Sequence, residues 1–89
     1  MEEVEIEREM WRIAKLSDEI RTVERHVLFL ESVHRYDIDQ NRDTSAVHKG
    51  MTRCLDALGL LIIERDTAEQ QVRAYVRASR EMQEGRWLF

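Results

Sequence analysis

The stretch IAKLSDEIRTVERHVLFL, residues 13–30, carries the strongest structural signal in this chain of 89 residues. Its regularly spaced apolar residues lie alternately three and four positions apart: Ile13, Leu16, Ile20, Val23, Val27 and Leu30. This is the heptad spacing of an α-helix that packs against another helix, and a strand would alternate at every second residue instead. Ile6 continues the row upstream, Glu9 is its one charged member, and His34 takes the next position downstream. We predict a first helix over about residues 2–36.

The second half of the chain repeats the helical spacing less cleanly. Its main apolar row comprises Val47, Met51, Leu55, Leu58, Ile62, Val72, Val76 and Met82, with Ala68 and Tyr75 in an adjacent row. Proline, which breaks helix interiors, is absent. We predict a second helix over about residues 45–84, ended by Gly85 as a C-terminal glycine cap. Gly50 and Gly59 are candidate kinks within it.

A short polar segment, residues 37–44, separates the two predicted helices. Asp43, Thr44 and Ser45 are residue types that cap helix N-termini, so the second helix has a start signal. A turn this short predicts an antiparallel hairpin within one domain, residues 1–89. If residue 41 is the apex, the numbers of two residues that face each other add up to about 82. This register places Arg12 near Glu69 and Glu9 opposite Arg73.

Apolar residues outside the packed rows predict that the hairpin self-associates. Two helices bury one stripe each, yet residues 58–63 are apolar nearly all round the helix, which is typical of a buried helix. We therefore expect an all-α, coiled-coil-like hairpin that forms a homodimeric four-helix bundle through residues 27–36 and 47–63. The predicted interface comprises Leu28, Phe29, Val33, Tyr36, Leu58, Leu61 and Ile62.

Composition bears on several classes of function. The net charge of -4 and pI of about 5.4 do not favour nonspecific binding to nucleic acid or to anionic membranes. The longest apolar run, residues 58–63, is far below the ~20 residues that span a bilayer, and the acidic N-terminus is unlike a signal peptide. Cys54 is the only cysteine, so we expect no internal disulfide and a reducing compartment such as the cytoplasm.

Glu31, His34 and His48 form the one candidate metal site. Glu31 and His34 have the Glu-x-x-His spacing found in di-iron helical bundles, and the hairpin register places His48 beside His34. Such a site needs further inward glutamates at the same depth, and the facing apolar segment has none before Glu64. We therefore predict no metal or cofactor, and interpret the histidines as residues at the helix ends.

Arg73, Arg77 and Arg80 form a basic stripe at helical spacing. One alternative function is a nucleic-acid-binding regulator that uses this stripe. The glutamates of residues 2–9 lie alongside in the predicted register, which favours an internal, solvated charge ladder instead.

The apolar residues Trp87, Leu88 and Phe89 follow the predicted helix end. They are predicted either to fold back on Trp11 or Ile6, or to dock in the groove of a partner protein.

No catalytic motif stands out in the sequence, and we expect a non-enzymatic function. The sequence favours a protein–protein interaction module, such as a small adaptor, assembly factor, chaperone or inhibitor, that acts as a helical dimer. A nucleic-acid-binding regulator is the first alternative, and a metal-binding bundle enzyme using Glu31, His34 and His48 is the second.

Overall fold

The computed structural model describes the backbone of residues 3–87 and the side chains of residues 3–82. Two helices account for nearly all of it: α1 spans Glu3–Asp39 and α2 spans Ser45–Trp87. They pack against each other as an antiparallel pair, so the predicted all-α hairpin is confirmed. At 1.5 Å per residue, helices of 37 and 43 residues are about 55 and 64 Å long. The molecule is accordingly a rod of 74 × 21 × 14 Å.

Helix α1 ends in a Schellman motif, in which a left-handed residue lets the chain turn back and satisfy the last carbonyls. Asn41 is that residue, with φ of 54°. The backbone N–H of Asn41 donates to the carbonyl of Ile38 at 3.0 Å, and the N–H of Arg42 donates to that of Asp37 at 2.8 Å. Both bonds belong to this type of helix end. The cap sets the end of α1 at Asp39, three residues beyond the predicted position.

The start of α2 agrees with the sequence prediction. The Asp43 carboxylate accepts hydrogen bonds from the hydroxyl of Ser45 at 2.7 Å and from its backbone N–H at 2.9 Å. These bonds, the hydroxyl bond first, lower the pKa of Asp43 below its ordinary value, because they favour the charged form. On the other side of the turn, the Arg42 guanidinium lies 5.5 Å from the centre of the Tyr36 ring, within cation–π range. The turn is therefore fixed by its own side chains.

Substitutions at Asn41 test this description of the turn. We expect Asn41→Gly to leave the melting temperature unchanged or to raise it, because glycine adopts the left-handed conformation without strain. Asn41→Val forces a β-branched side chain into that conformation, which costs about 1–2 kcal/mol. That cost corresponds to a fall of at least ~4 °C in the melting temperature for a domain this small. Thermal unfolding followed by circular dichroism measures both variants, and equal melting temperatures would contradict the assigned turn.

Helix α2 is continuous through Gly50, Gly59 and Gly85. The prediction that Gly85 ends the helix is wrong, because α2 continues to Trp87 and no glycine in the described chain has a positive φ. Glycine permits a left-handed cap but also accepts right-handed helical angles, so its presence alone does not end a helix. Of the predicted apolar tail, residues 85–89, Leu88 and Phe89 lie outside the described residues, as do the side chains of Arg86 and Trp87.

The core is a narrow seam between the helices. On α1 it follows the predicted heptad row: Leu16, Ile20 and Val27 are buried, with 6, 4 and 8% of their surface exposed. The most buried residue of α2 is Ala68, at 1% exposure.

The seam of α2 agrees with the predicted row only in part. One row that faces α1 repeats every seven residues: Val47, Cys54, Leu61, Ala68 and Tyr75. The other predicted members Met51, Leu58, Ile62 and Val72 are half-buried as well. Leu55, Val76 and Met82 are 50, 43 and 71% exposed, so their assignment to the seam is wrong. The physical reason is that α2 carries apolar residues on two neighbouring rows, and periodicity alone did not separate them.

Candidate functional site

Exposed apolar side chains cover the half of the hairpin nearest the turn. On α1, Leu28, Phe29 and Tyr36 are 62, 61 and 54% exposed. On α2, Leu60 and Ile63 are 66 and 63% exposed. We call these residues, together with Leu55, the turn-proximal surface. Several large exposed apolar side chains in one part of a protein indicate an interaction region more strongly than scattered single residues do.

The predicted interface residues divide into two groups. Leu28, Phe29 and Tyr36 belong to the turn-proximal surface. The remaining members are half-buried against the hairpin itself: Val33, Leu58, Leu61 and Ile62. Leu61 lines a shallow groove with Val23 of α1, so much of its surface is already covered within one chain. The predicted interface omits Leu60 and Ile63, and the predicted α2 row places Leu55 in the seam.

The two internal glycines of α2 have different surroundings. A Cβ atom added at Gly50 would lie 3.7 Å from Cδ1 of Leu30, an ordinary contact with α1. A Cβ atom added at Gly59 would meet nothing within 4 Å. Gly59 is a neighbour of Leu55 and Ile63 on the helix surface, at four-residue spacing. It therefore leaves a shallow gap in the turn-proximal surface, where another helix can approach the backbone of α2.

The chain exposes more surface than a compact protein of its mass. A folded monomer of 10.7 kDa is expected to expose about 5,500 Å², whereas this chain exposes 7578 Å². The radius of gyration is 20.6 Å, compared with about 12 Å for a compact domain of this length. The rod thus leaves an excess of about 2,000 Å² for each chain, by the same scaling.

A charged layer interrupts the seam in the half of the rod away from the turn. Arg12 lies 3.8 Å from Glu9 on its own helix and 4.0 Å from Glu64 across the hairpin. Arg65 of α2, which is half-buried, lies 3.9 Å from Glu69 of the same helix. Glu9 Oε2 and Arg65 Nε are shielded from solvent, yet within the described part of the chain neither makes a hydrogen bond. Such loose pairs contribute little stability.

These ion pairs differ from the predicted ones. The predicted approach of Arg12 to Glu69 is replaced by its pair with Glu64, and Glu9 pairs with Arg12 rather than Arg73. Arg73 pairs with Glu69 of its own helix, at 3.8 Å. The reason is the register of the two helices. The residue numbers of the facing pair Arg12 and Glu64 add up to 76, and those of the neighbouring pair Leu30 and Gly50 add up to 80. Both sums lie below the predicted 82.

The candidate metal residues do not assemble into a site. His34 is half-buried at the end of the α1 seam, while Glu31 and His48 are exposed. Among the described residues, no group of three or more histidine, cysteine, aspartate or glutamate side chains is placed to hold a metal ion. The third histidine, His26, stacks on Phe29 with ring centres 6.3 Å apart, at the edge of the turn-proximal surface.

Replacing both candidate ligands tests the metal hypothesis directly. We expect the double variant His34→Gln, His48→Gln to keep the helical content and the melting temperature of the parent within a few degrees, because neither imidazole is fully buried or hydrogen-bonded in the described chain. Metal analysis of protein purified without a histidine tag is expected to give the same sub-stoichiometric content for both. Stoichiometric zinc or iron that disappears in the double variant would revive the metal site.

The basic stripe lies on the outer side of α2, near the open end of the hairpin. Arg73, Arg77 and Arg80 are exposed and line a shallow groove with Val72 and Val76. The five residues fall three or four positions apart or adjacent, so they share one side of the helix. We call this the basic groove.

The fold and its surfaces define a small antiparallel helical hairpin with apolar and basic surfaces that the described residues leave uncovered. No family model, curated protein or solved structure matches the chain. Within residues 3–87, neither helix has an apolar stretch long enough to cross a membrane.

Proposed function

We propose that this protein is a non-enzymatic protein–protein interaction module that acts as a homodimer, in which two hairpins form a four-helix bundle. The observation that carries the proposal is the turn-proximal surface. Leu28, Phe29, Leu60 and Ile63 each keep more than 60% of their surface exposed in one chain. Water contact with side chains of this size is unfavourable, at about 25 cal/mol per Å² of apolar area. A second hairpin supplies the missing cover.

The area of the rod agrees with this arrangement. A stable interface buries about 800 Å² on each partner. The excess surface of the chain is larger than that, so a dimer can bury a full interface and still expose one side to water. Four-helix bundles place apolar rows from each helix in a shared core. Both helices here expose large apolar side chains outside the seam, and Gly59 leaves open space on α2 where a partner helix can approach.

The charged layer supports a role in specific pairing. Arg12 and Arg65 occupy positions at or next to the seam, where apolar residues would stabilise the hairpin more. Charged or polar residues in a helical seam are known to fix register and the number of helices at a cost in stability. We infer that this layer holds the two helices in one register, so that the turn-proximal surface stays correctly assembled for its partner.

Several cellular roles fit such a module, namely small adaptor, assembly factor, chaperone or inhibitor. Trp87, Leu88 and Phe89 remain predicted partner-docking residues, and a reducing compartment such as the cytoplasm remains the expected location because Cys54 is a free thiol. The half-buried position of Cys54 in the α2 seam is that of a small packing residue.

Light scattering at micromolar concentration tests the proposal. We expect a mass twice the 10.7 kDa of one chain, with circular dichroism showing a helical protein in the same sample. The dimer is expected to dissociate on dilution, and the melting temperature is expected to fall with it, because association stabilises the folded state by mass action. A helical sample that stays at the mass of one chain throughout would refute the homodimer.

A further inference from the structure

The basic groove lies outside the turn-proximal surface and presents an unusual combination of groups. Val76 is 43% exposed and Val72 is half-buried, so the floor of the groove is apolar. Arg73, Arg77 and Arg80 line its sides. From Arg73 to Arg80 the helix rises about 10 Å, or roughly two turns. The groove is thus the length of a short helical contact.

Among the side chains that the structure describes, residues 3–82, the charges of this groove are only weakly neutralised. The glutamates of residues 2–9 were predicted to lie alongside these arginines in a charge ladder. Glu2 lies outside the described residues, and no ion pair within 4.0 Å joins the other four glutamates to the arginines. The single partner recorded there is Glu69, 3.8 Å from Arg73, whose side chain is still 75% exposed. An exposed pair of this kind contributes at most about 1 kcal/mol and is easily exchanged. Arg77 and Arg80 extend into solvent from the same side of the helix.

The apolar floor distinguishes between two kinds of acidic partner. Nucleic-acid backbones are held mainly by their phosphates, and that attraction needs a high density of basic groups. Only three arginines line this groove, and the chain as a whole has a net charge of -4. An amphipathic helix buries an apolar row in a groove, and its flanking charges face the sides of that groove. The valine floor and the arginine sides of the groove match the binding of an amphipathic helix.

We propose that the basic groove binds an acidic amphipathic helix of a partner protein. Apolar side chains of that helix pack on Val72 and Val76, and its carboxylates pair with Arg77 and Arg80. Arginine suits this task because its planar guanidinium donates two parallel hydrogen bonds to one carboxylate. The inference goes beyond the proposed homodimer, since it assigns a second surface and a class of partner, and it rests on the proposed role as an interaction module.

Fluorescence anisotropy with designed peptides tests the proposal on the full-length protein. The probe is a labelled helical peptide of five turns with a leucine row flanked by glutamates, and its matched control has lysine in place of every glutamate. A duplex DNA and a single-stranded RNA, each labelled, are the other probes. We expect the glutamate peptide to bind, more weakly as salt rises, and the lysine peptide to bind at least tenfold more weakly. Equal binding of the two peptides, or preferential binding of either nucleic acid, would overturn the proposal.

Charge reversal then locates the binding site. We expect Arg77→Glu together with Arg80→Glu to weaken binding of the glutamate peptide at least tenfold, equivalent to about 1.4 kcal/mol. The matched control is Arg21→Glu with Arg25→Glu, which makes the same change in net charge on exposed residues of α1 and is expected to retain at least half the affinity. Circular dichroism verifies that both variants stay helical. If the two double variants bind equally, the basic groove is not the site.

Light scattering of the same samples separates this inference from the proposed homodimer. The reversed groove is expected to lose the peptide while keeping the mass of two chains, because Arg77 and Arg80 lie away from the turn-proximal surface. A protein that binds the peptide as a single chain would refute the homodimer and retain the groove. A dimer that does not bind the glutamate peptide would support the homodimer and refute the proposed role of the groove.

Discussion

Phe29→Glu is expected to convert the proposed homodimer into single chains at micromolar concentration. Phe29 is 61% exposed in one hairpin and belongs to the surface that a second hairpin is proposed to cover. Moving a carboxylate into a dry interface costs several kcal/mol unless a partner charge is supplied. Since each 1.4 kcal/mol is a factor of ten, we expect the dissociation constant to rise at least about a hundredfold. Sedimentation equilibrium over a range of concentrations measures that change.

Leu60→Glu provides a second test from the other helix. Leu60 is 66% exposed, so the substitution adds a charge without removing a core contact within the hairpin. Leu61 is less suitable, because it is half-buried beside Val23 and its replacement would also weaken the single hairpin. We expect Leu60→Glu to shift association in the same direction as Phe29→Glu.

Trp11→Glu is the matched control for both variants. Trp11 is a large apolar residue with 78% exposure, and it lies in the half of the rod away from the turn. It therefore repeats the change from apolar to charged outside the proposed interface, and the dissociation constant is expected to change less than threefold. If Trp11→Glu disrupts the dimer and Phe29→Glu does not, the two chains meet at the open end of the hairpin instead.

The sequence predicted α1 well because its apolar pattern is unambiguous. Leu16, Ile20 and Val27 are the most buried residues of α1, and all three lie on the heptad row read from the sequence. Between Leu16 and Val27 only polar residues separate the members of that row, so one side of the helix is clearly the one that faces α2. A strict three-and-four spacing is sufficient evidence in such a case.

The apolar spacing predicts the α2 seam only in part, for two physical reasons. Residues 58–63 are apolar nearly all round, so hydrophobicity did not choose between the row of Leu55 and the row of Cys54. The choice is made by close packing at Ala68, which a hydrophobicity pattern undervalues because alanine is small. Arg65 adds to the difficulty, since a charged residue in the seam looks like a surface residue in sequence.

The turn contained a signal that sequence reasoning used only in part. Asp43 is one of three predicted capping residues, with Thr44 and Ser45, and its carboxylate accepts two hydrogen bonds from Ser45. The sequence prediction uses Asn41 only as the apex of the hairpin. Asparagine is among the few residues that accept a left-handed conformation, and in that position it ends a helix as glycine often does. Reading it so would have extended α1 to Asp39 from the sequence alone.

The interaction surfaces were partly accessible for a related reason. Leu28, Phe29 and Tyr36 lie off the clear α1 row, so their exposure followed from the heptad pattern. The α2 side of the turn-proximal surface depended on the misplaced seam, and its members were assigned incompletely. The basic groove was visible as three spaced arginines, but its apolar floor depended on Val72 and Val76 facing partly outward. That orientation is set by tertiary packing.

Ile20→Ala is expected to cause the largest loss of stability of any single truncation in the seam. Ile20 is 4% exposed and is the most buried large side chain of the described hairpin. Removing its side chain forfeits apolar burial and leaves a cavity, a change that costs about 2–5 kcal/mol in protein cores. For a domain this small, each kcal/mol lowers the melting temperature by about 4–8 °C. We therefore expect a fall of at least ~8 °C, and complete unfolding if the parent is marginal.

Ile38→Ala is the matched control, because Ile38 is on the same helix and 53% exposed. It is expected to change the stability by no more than about 0.5 kcal/mol. Ile20→Val removes one methylene and should cost about 0.5–1.5 kcal/mol, which keeps the series measurable if the alanine variant does not fold. Denaturant unfolding at two protein concentrations measures all three variants and separates the loss of the hairpin from the loss of the dimer. Equal destabilisation by Ile20→Ala and Ile38→Ala would contradict the packing of α1 on α2 described here, since the two isoleucines differ mainly in whether the second helix covers them.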